Sequence, residues 1–175
     1  MDKSINILVN EHKNILIVID ALLKECDGLE SKKEINKDFF KKITEFIRGY
    51  ADKFHHAKEE DILFIELCKD TVAMHCNPTQ QMLYEHDLGR NFVKGLKKGL
   101  QENNPDEIIK NGRGYAELLK EHINKEDNIL YPMAEEALDE KTKQIILKKF
   151  EEVEKKFVLE NEKYLVLIKD LTKNI

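Results

Sequence analysis

The sequence predicts an all-α protein, an up-down-up-down four-helix bundle with an additional C-terminal helix. Apolar residues recur every three or four positions through most of the 175 residues, which is the period of an amphipathic helix. Only seven Gly and three Pro occur, so there are few places where a long helix would break. Four long helices joined by short connections favour the alternating up-down order.

Five helices are predicted, each from an apolar stripe with helical spacing. Their approximate bounds, in chain order, are Ser4–Cys26, Lys37–Leu67, Thr79–Gln101, Pro105–Leu138 and Lys141–Leu171. The first four form the bundle, which we place in residues 1–138. The last helix, within residues 139–175, has a stripe with a period close to 3.5 residues. It is expected to pack on the bundle or to associate with a partner chain.

The breaks between these helices carry turn residues. Asp27–Lys37 is a polar connection, and Asp70–Pro78 ends in Asn-Pro, with Thr79 as the predicted cap of the third helix. The run Asn103–Asp106 is a tight turn that puts a Pro near the first position of the fourth helix. Pro132 lies inside the fourth helix and should kink it, because proline lacks a backbone donor.

Composition excludes several classes of function. The net charge is −5, and the basic residues alternate with acidic ones, so non-specific nucleic-acid binding is not expected. No apolar run is long enough to span a membrane, and the first ten residues lack a signal-peptide pattern. Three cysteines, Cys26, Cys68 and Cys76, show no framework spacing. A reduced, cytoplasmic protein is therefore expected.

A twelve-residue motif occurs twice, as KFHHAKEEDILF at Lys53–Phe64 and as KEHINKEDNILY at Lys120–Tyr131. In each copy a His is followed four residues later by a Glu. The aligned pairs are His55/Glu59 and His122/Glu126. Side chains four residues apart on a helix are neighbours on one face, so each pair can reach one metal ion, and its carboxylate can bridge to a second.

Four histidines fall one per bundle helix, at His12, His55, His86 and His122. Residues at one level of an antiparallel hairpin lie equally far from its turn. The midpoints between successive histidines fall at 33–34, 70–71 and 104, inside the three connections predicted from other signals. The four imidazoles are therefore expected to meet at one level of the bundle. His75 lies off that level, in a loop, and is not expected to be a ligand.

The faces of the helices give a second test. His12, His86 and His122 lie on apolar faces of their helices. On the second helix, His55 and Glu59 lie at the border of the apolar stripe. The pair His56/Glu60 is turned about 100° further, so His55/Glu59 is the predicted inward pair.

Each of these features has an ordinary structural interpretation. A lone His on an apolar face is usually a hydrogen-bonded core residue, and a lone His-x-x-x-Glu is usually a surface pair. Burying four level-matched histidines with two carboxylates and no partner would cost several kcal/mol for each group. A metal centre satisfies them together. Imidazole and carboxylate donors suit iron or manganese, and no thiolate set indicates structural zinc.

With these residues the chain resembles the hemerythrin-like (HHE cation-binding) family over about residues 5–135. Four motifs carry the resemblance: Glu11-His12, His55–Phe64, Met82–Arg90 (MLYEHDLGR) and Glu121–Pro132. The family implies a four-helix bundle with a non-haem di-iron centre, that is, two iron ions (Fe²⁺/Fe³⁺) with an optional oxo or hydroxo bridge, or another divalent metal in their place. The terminal ligands implied are His12, His55, His86 and His122, and the bridging ligands are Glu59 and Glu126.

The chain departs from the oxygen-carrying hemerythrins at Met82, where they have a second His one turn before the third-helix His. Glu126 also lies four residues after the fourth-helix His, whereas the oxygen carriers use an Asp five residues after it. The unfilled metal position could take His56, Glu60, Glu85 or water. Reversible oxygen transport is therefore not inferred for this chain.

Three functions compete. The first is a di-iron binding module that senses or handles oxygen, nitric oxide, peroxide or iron, with the last helix as a surface for signalling or homodimer formation. The second is a di-iron enzyme, a peroxidase or oxidase, or an iron donor for iron–sulfur repair. The third is a helical interaction protein without metal. For the metal-binding cases, Tyr50, Tyr115 and Tyr131 are the predicted partners that orient the ligand imidazoles.

Overall fold

The computed structural model describes residues 2–72, 74 and 77–172, and these residues form five helices with no strand among them. His75 and Cys76, in the loop whose role the sequence left open, lie outside the described residues. In chain order the helices are α1 (Lys3–Glu30), α2 (residues 37–67), α3 (Thr79–Glu102), α4 (residues 105–137) and α5 (Glu140–Thr172). In the described part of the chain, no helix is both long and apolar enough to cross a membrane.

Side-chain caps fix where several helices begin. Asp2 accepts a hydrogen bond from the amide of Ser4 at the start of α1, and Asn104 accepts one from the amide of Glu107 at the start of α4. The predicted cap at Thr79 is wrong. Thr79 is already the first helical residue, and its amide donates to the side chain of Asn77 at 3.1 Å. Asn has the same capping chemistry as Thr, so the capping side chain lies two residues before the predicted one.

Two of the helices contain π-helical turns, which overlap the two copies of the repeated motif. In α2 the α-helical segment Lys37–Phe46 is followed by π-helical Ile47–His56 and Glu59–Leu63. In α4 the π-helical segment is Glu126–Leu130. A π turn pairs residue i with i+5 and so rotates the side chains that follow relative to a regular helix. Pro132 comes directly after this turn in α4, so its missing amide lies where the hydrogen-bond pattern already changes.

Apolar residues form two clusters, and the histidine level lies between them. One cluster gathers residues such as Ile19, Phe46 and Leu96, and the other gathers residues such as Leu8, Leu63 and Leu130. Along α1, buried His12 lies between Leu8 of one cluster and Ile15 of the other. The apolar faces of the helices therefore position a buried polar layer part-way along the molecule.

The helix α5 lies against α1 and α2. Of its buried residues, Ile168 belongs to the first apolar cluster, and Ile146 and Phe150 belong to the second. Several of its other apolar side chains are exposed, including Val158, Leu159, Leu165 and Val166. The division into a bundle at 1–138 and a separate C-terminal element at 139–175 stays a prediction.

Candidate metal centre

The structure brings all seven metal-ligand candidates together in two groups of four buried residues that share Glu59. The groups are His12, His55, Glu59, Glu126 and His56, Glu59, His86, His122. Within each group, one potential ligand atom per residue lies within 4.8 Å of the others. The histidines that the sequence placed at one level therefore do meet there.

The two carboxylates lie between the groups. Glu126 Oε2 is 3.3 Å from His12 Nε2 and 3.2 Å from His122 Nε2. Glu59 Oε2 is 3.6 Å from His55 Nε2 and 3.5 Å from His86 Nε2. Each carboxylate thus has one oxygen close to an imidazole of both groups, so it could serve both groups.

Carboxylates, rather than the predicted tyrosines, orient the imidazoles. Four of the histidines bind a carboxylate oxygen through Nδ1, so their Nε2 atoms are left to face the centre. The pairs are His12–Asp127 at 2.7 Å, His55–Glu11 at 2.9 Å, His86–Glu60 at 2.6 Å and His122–Glu85 at 2.9 Å.

Of the predicted tyrosines, only Tyr131 contacts the candidate ligands through its hydroxyl. It donates to Glu59 Oε1 at 2.5 Å and lies 3.4 Å from His12 Nε2. Tyr50 instead accepts a hydrogen bond from Asn14 at 2.8 Å, and Tyr115 contributes its ring to a cavity wall. The prediction for Tyr50 and Tyr115 is therefore not supported by their contacts.

A signal for the orienting carboxylates exists in the sequence. Each is the immediate neighbour of a candidate ligand on its own helix: Glu11 and Glu85 precede His12 and His86, and Glu60 and Asp127 follow Glu59 and Glu126. One residue along a helix turns the side chain by about 100°. A ligand and its neighbour therefore point in different directions. The ligand faces the centre, and the neighbour can reach an imidazole of another helix across the interface.

Of the candidates for the additional ligand, His56 belongs to one of the two groups, and Glu60 and Glu85 belong to neither. The His56 ring stacks on that of His86 with centroids 3.7 Å apart, while Glu60 and Glu85 are engaged with Nδ1 atoms. A rotation of 100° per residue would point His56 away from the centre, but both His55 and His56 are buried. The π-helical turn Ile47–His56 accounts for the difference, because it changes the rotation between successive side chains.

Burial and close charges displace the pKa values of the central groups. Burial, together with the nearby charge of Glu126, raises the pKa of Glu59 well above its usual range. Burial acts on Glu126 in the same direction, but the charges of His122 and His12 hold its pKa well below normal. The pKa of His55 and of His56 is lowered by burial and by neighbouring imidazoles.

In the absence of a cation, His12 and His122 favour the charged imidazolium form, with a proton on both ring nitrogens. Burial disfavours the charged form of His12, but Asp127 and Glu126 outweigh it and raise its pKa to about 9. Burial also disfavours the charged form of His122, but Glu126 and Glu85 outweigh it and raise its pKa to about 10. A cation that binds these nitrogens must displace their protons.

Unpartnered atoms give an independent test of whether the residues fit a metal. Among the described residues, five buried side-chain atoms lack a hydrogen-bond partner, and four of them belong to the two groups. These are Glu59 Oε2, both carboxylate oxygens of Glu126, and His56 Nδ1, which lies 3.5 Å from Asp52 Oδ1 without forming a well-aligned hydrogen bond. Leaving such atoms unsatisfied is costly, and mixed imidazole and carboxylate donors suit iron or manganese. The residues present fit a pair of cations.

Comparison with known proteins gives one match. The model of the family described as the hemerythrin HHE cation binding domain matches residues 3–134. That range includes all seven metal-ligand candidates. No curated protein and no solved structure is significantly similar to the chain.

Proposed function

Because the chain belongs to the hemerythrin HHE cation-binding domain family, as its motifs predicted, we propose that it is a non-haem di-iron protein whose first four helices form an up-down-up-down bundle. The observation that carries the proposal is the position of Glu59 and Glu126. Each carboxylate faces an imidazole of both metal-ligand groups. One cation would leave half of these contacts unused, whereas two use them all.

The proposed ligand sets follow from the two groups. His12 and His55 would hold one iron, and His56, His86 and His122 would hold the other. Glu59 and Glu126 would be shared by both. Since one set has three imidazoles and the other two, the irons differ in how many positions remain open for an external ligand.

When bound, two iron ions supply electrons and open positions for a small ligand such as oxygen, nitric oxide or peroxide. The chain's own residues do the rest. Asp127, Glu11, Glu60 and Glu85 hold the Nδ1 atoms, which keeps Nε2 aimed inward. The Tyr131 hydroxyl oxygen lies 2.5 Å from Glu59 Oε1 and donates its proton to that oxygen. The apolar clusters on either side exclude bulk water from this polar layer.

Sensing or handling of such a ligand is the function that we favour, because a chain of contacts links the centre to the last helix. His55 binds Glu11 through Nδ1, Glu11 accepts a hydrogen bond from buried Lys58, and Lys58 lies 3.3 Å from Glu154 of α5. A change at His55 would therefore alter the contact between Lys58 and Glu154 of α5. The exposed apolar side chains of α5 would then act as the output surface, including as a homodimer contact, in a reducing cytoplasmic setting.

An enzyme is the second candidate, either a di-iron peroxidase or oxidase or an iron donor for iron–sulfur repair. The observation that favours it is the Tyr131 hydroxyl, a buried proton donor within the centre. A binding module has no need of a proton donor at this place, whereas peroxide turnover does.

Anaerobic purification followed by metal analysis tests these functions. We expect two irons per chain and a near-ultraviolet absorption band that changes on addition of oxygen, nitric oxide or peroxide. Sustained catalytic loss of peroxide would support the enzyme instead. The double variant His122→Ala/Glu126→Ala should lose the iron, while the surface variant Lys98→Ala/Glu102→Ala, with the same spacing on α3, should keep it. Equal metal content in both variants would overturn the proposal.

A further inference from the structure

A cavity of about 280 Å³ reaches from the surface to one side of the candidate metal centre. Its inner end is formed by the buried imidazoles His56, His86 and His122 with the buried carboxylate Glu85, which is paired with His122. Its outer end is formed by exposed cationic side chains. For comparison, an engineered cavity of roughly 150 Å³ holds a benzene molecule. The space is therefore far larger than a diatomic ligand needs.

Along α3 the cavity is lined by residues from Glu85 to Lys97. Those twelve steps correspond to about 18 Å along a helix axis. A space that follows the helix over this length suits an extended, unbranched ligand.

The walls between the two ends are mostly apolar. They are formed by Ile47 of α2, by Gly89 and Val93 of α3, and by Tyr115 and Leu119 of α4. A side chain at position 89 would project into this space, since even a Cβ there would stand 3.4 Å from the Tyr115 ring. The middle of the cavity therefore favours methylene groups over polar ones.

The outer end is positively charged without a compensating carboxylate. Arg48, Lys94 and Lys97 are exposed there, and in residues 2–72, 74 and 77–172 none of the three has an ion-pair partner. The carboxylate of Asp52 also lines the cavity, but it is paired with Arg90 at 2.8 Å. An anionic group at this end would meet three available cations.

We propose that this cavity binds a linear, medium-chain carboxylate, with its carboxylate at the cationic outer end and its alkyl chain directed toward the three imidazoles. The site is formed by the protein alone and does not require the cations. It therefore goes beyond the proposed di-iron function and can be tested on metal-free protein, so that failure of one leaves the other standing.

Titration calorimetry of the metal-free protein with octanoate tests the proposal. One octanoate should bind per chain. Removal of each methylene should weaken binding about fourfold, so butanoate should bind more than about a hundredfold less tightly. Octan-1-ol, which keeps the chain but lacks the charge, should bind about tenfold less tightly than octanoate. Equal affinity for the acid and the alcohol, or no binding of octanoate at millimolar concentration, would overturn the proposal.

A pair of variants on α3 separates the head-group contact from general charge. Lys97→Glu, at the outer end, should weaken octanoate binding about fivefold or more. Lys98→Glu introduces the same charge change one residue away, outside the cavity, and should alter the affinity by less than about twofold. If both variants have the same effect, the cations at the outer end do not bind the ligand.

Gly89 allows the chain-binding part to be tested separately. Gly89→Leu should fill the cavity and remove octanoate binding, whereas Gly89→Ala, whose Cβ makes an ordinary contact, should bind nearly as the parent does. Circular dichroism checks that each variant is folded. If Gly89→Leu does not fold, the Lys97 and Lys98 variants still decide the question. If it folds and binds octanoate as the parent does, the proposal fails.

Discussion

The two halves of the bundle, α1–α2 and α3–α4, contain the same polar arrangement but are covered differently. In the first half, Lys58 donates to Glu11, and Glu11 binds Nδ1 of His55. In the second half, Lys125 donates to Glu85, and Glu85 binds Nδ1 of His122. Lys58 and Lys125 occupy equivalent positions of the repeated motif, so duplicated sequence produces duplicated chemistry.

The differences arise at a few equivalent positions. Lys58 is fully buried beneath α5, whereas the side chain of Lys125 is 35% exposed. His56 belongs to the centre, but its counterpart Ile123 is apolar core. Tyr131 stacks on His12 and donates to Glu59, while its counterpart Phe64 stacks on His86 and has no hydroxyl. The two proposed irons would therefore have different surroundings despite the repeat.

The largest difference is expected between the two lysines. Lys58→Met should lower the free energy of unfolding by about 3–5 kcal/mol, because it leaves the buried carboxylate of Glu11 without its cation. Lys125→Met should cost at most about 1 kcal/mol, because that pair is partly exposed and screened by solvent. Urea denaturation of the metal-free proteins measures both values. Equal losses would mean that burial under α5 does not distinguish the halves.

A second large effect is expected at the shared carboxylate. Glu59→Ala should weaken iron binding more than about a hundredfold, because Glu59 belongs to both metal-ligand groups. Its neighbour Glu60 contacts Nδ1 of His86 and the side chain of Arg90 but belongs to neither metal-ligand group, so Glu60→Ala should weaken iron binding about tenfold. Competition with a chelator measures the two affinities. If the two variants lose iron equally, the inward pair on α2 has been assigned to the wrong residue.

Replacing His56 by Ile makes the first half match the second at this position. We expect His56→Ile to weaken the binding of one of the two irons about tenfold and to leave the binding of the other nearly unchanged, since His56 belongs to one group only. Ile123→Val, which trims the equivalent core position, is the control. Simultaneous loss of both irons from the His56 variant would argue against separate ligand sets.

The smallest effect is expected where α5 meets the first half. Glu154 is 42% exposed and lies 3.3 Å from Lys58, so Glu154→Gln should cost at most about 1 kcal/mol of stability. If α5 reports on the centre, the same variant should alter how strongly ligand addition changes the hydrogen exchange of α5 amides. Unchanged exchange with and without ligand, in parent and variant alike, would contradict a signalling role for α5.

These comparisons show which parts of the molecule the sequence could specify. The level of the histidines followed from their distances to three turns, because antiparallel helices pair residues by those distances. The membership of Glu59 and Glu126 in one centre followed from i, i+4 spacing. Both inferences need only approximate helix geometry, because four residues bring His and Glu to one face in both copies despite the adjoining π-helical turns.

The remaining features depend on geometry that spacing does not encode. His56 enters the centre through a π-helical turn, which no residue pattern announced. The orienting carboxylates are marked in the sequence only as neighbours of candidate ligands, and which imidazole each one binds depends on how the helices pack, as for Glu11 and Asp127. The burial of Lys58 could not be foreseen either, since it depends on where α5 packs.

The proposed centre would hold two irons, with Glu59 and Glu126 shared by both. Anomalous diffraction at the iron edge from crystals of the anaerobically purified protein tests it most directly. We predict two iron peaks per chain, one against His12 and His55 and the other against His56, His86 and His122. A single peak, or peaks that do not contact these imidazoles, would contradict the claim.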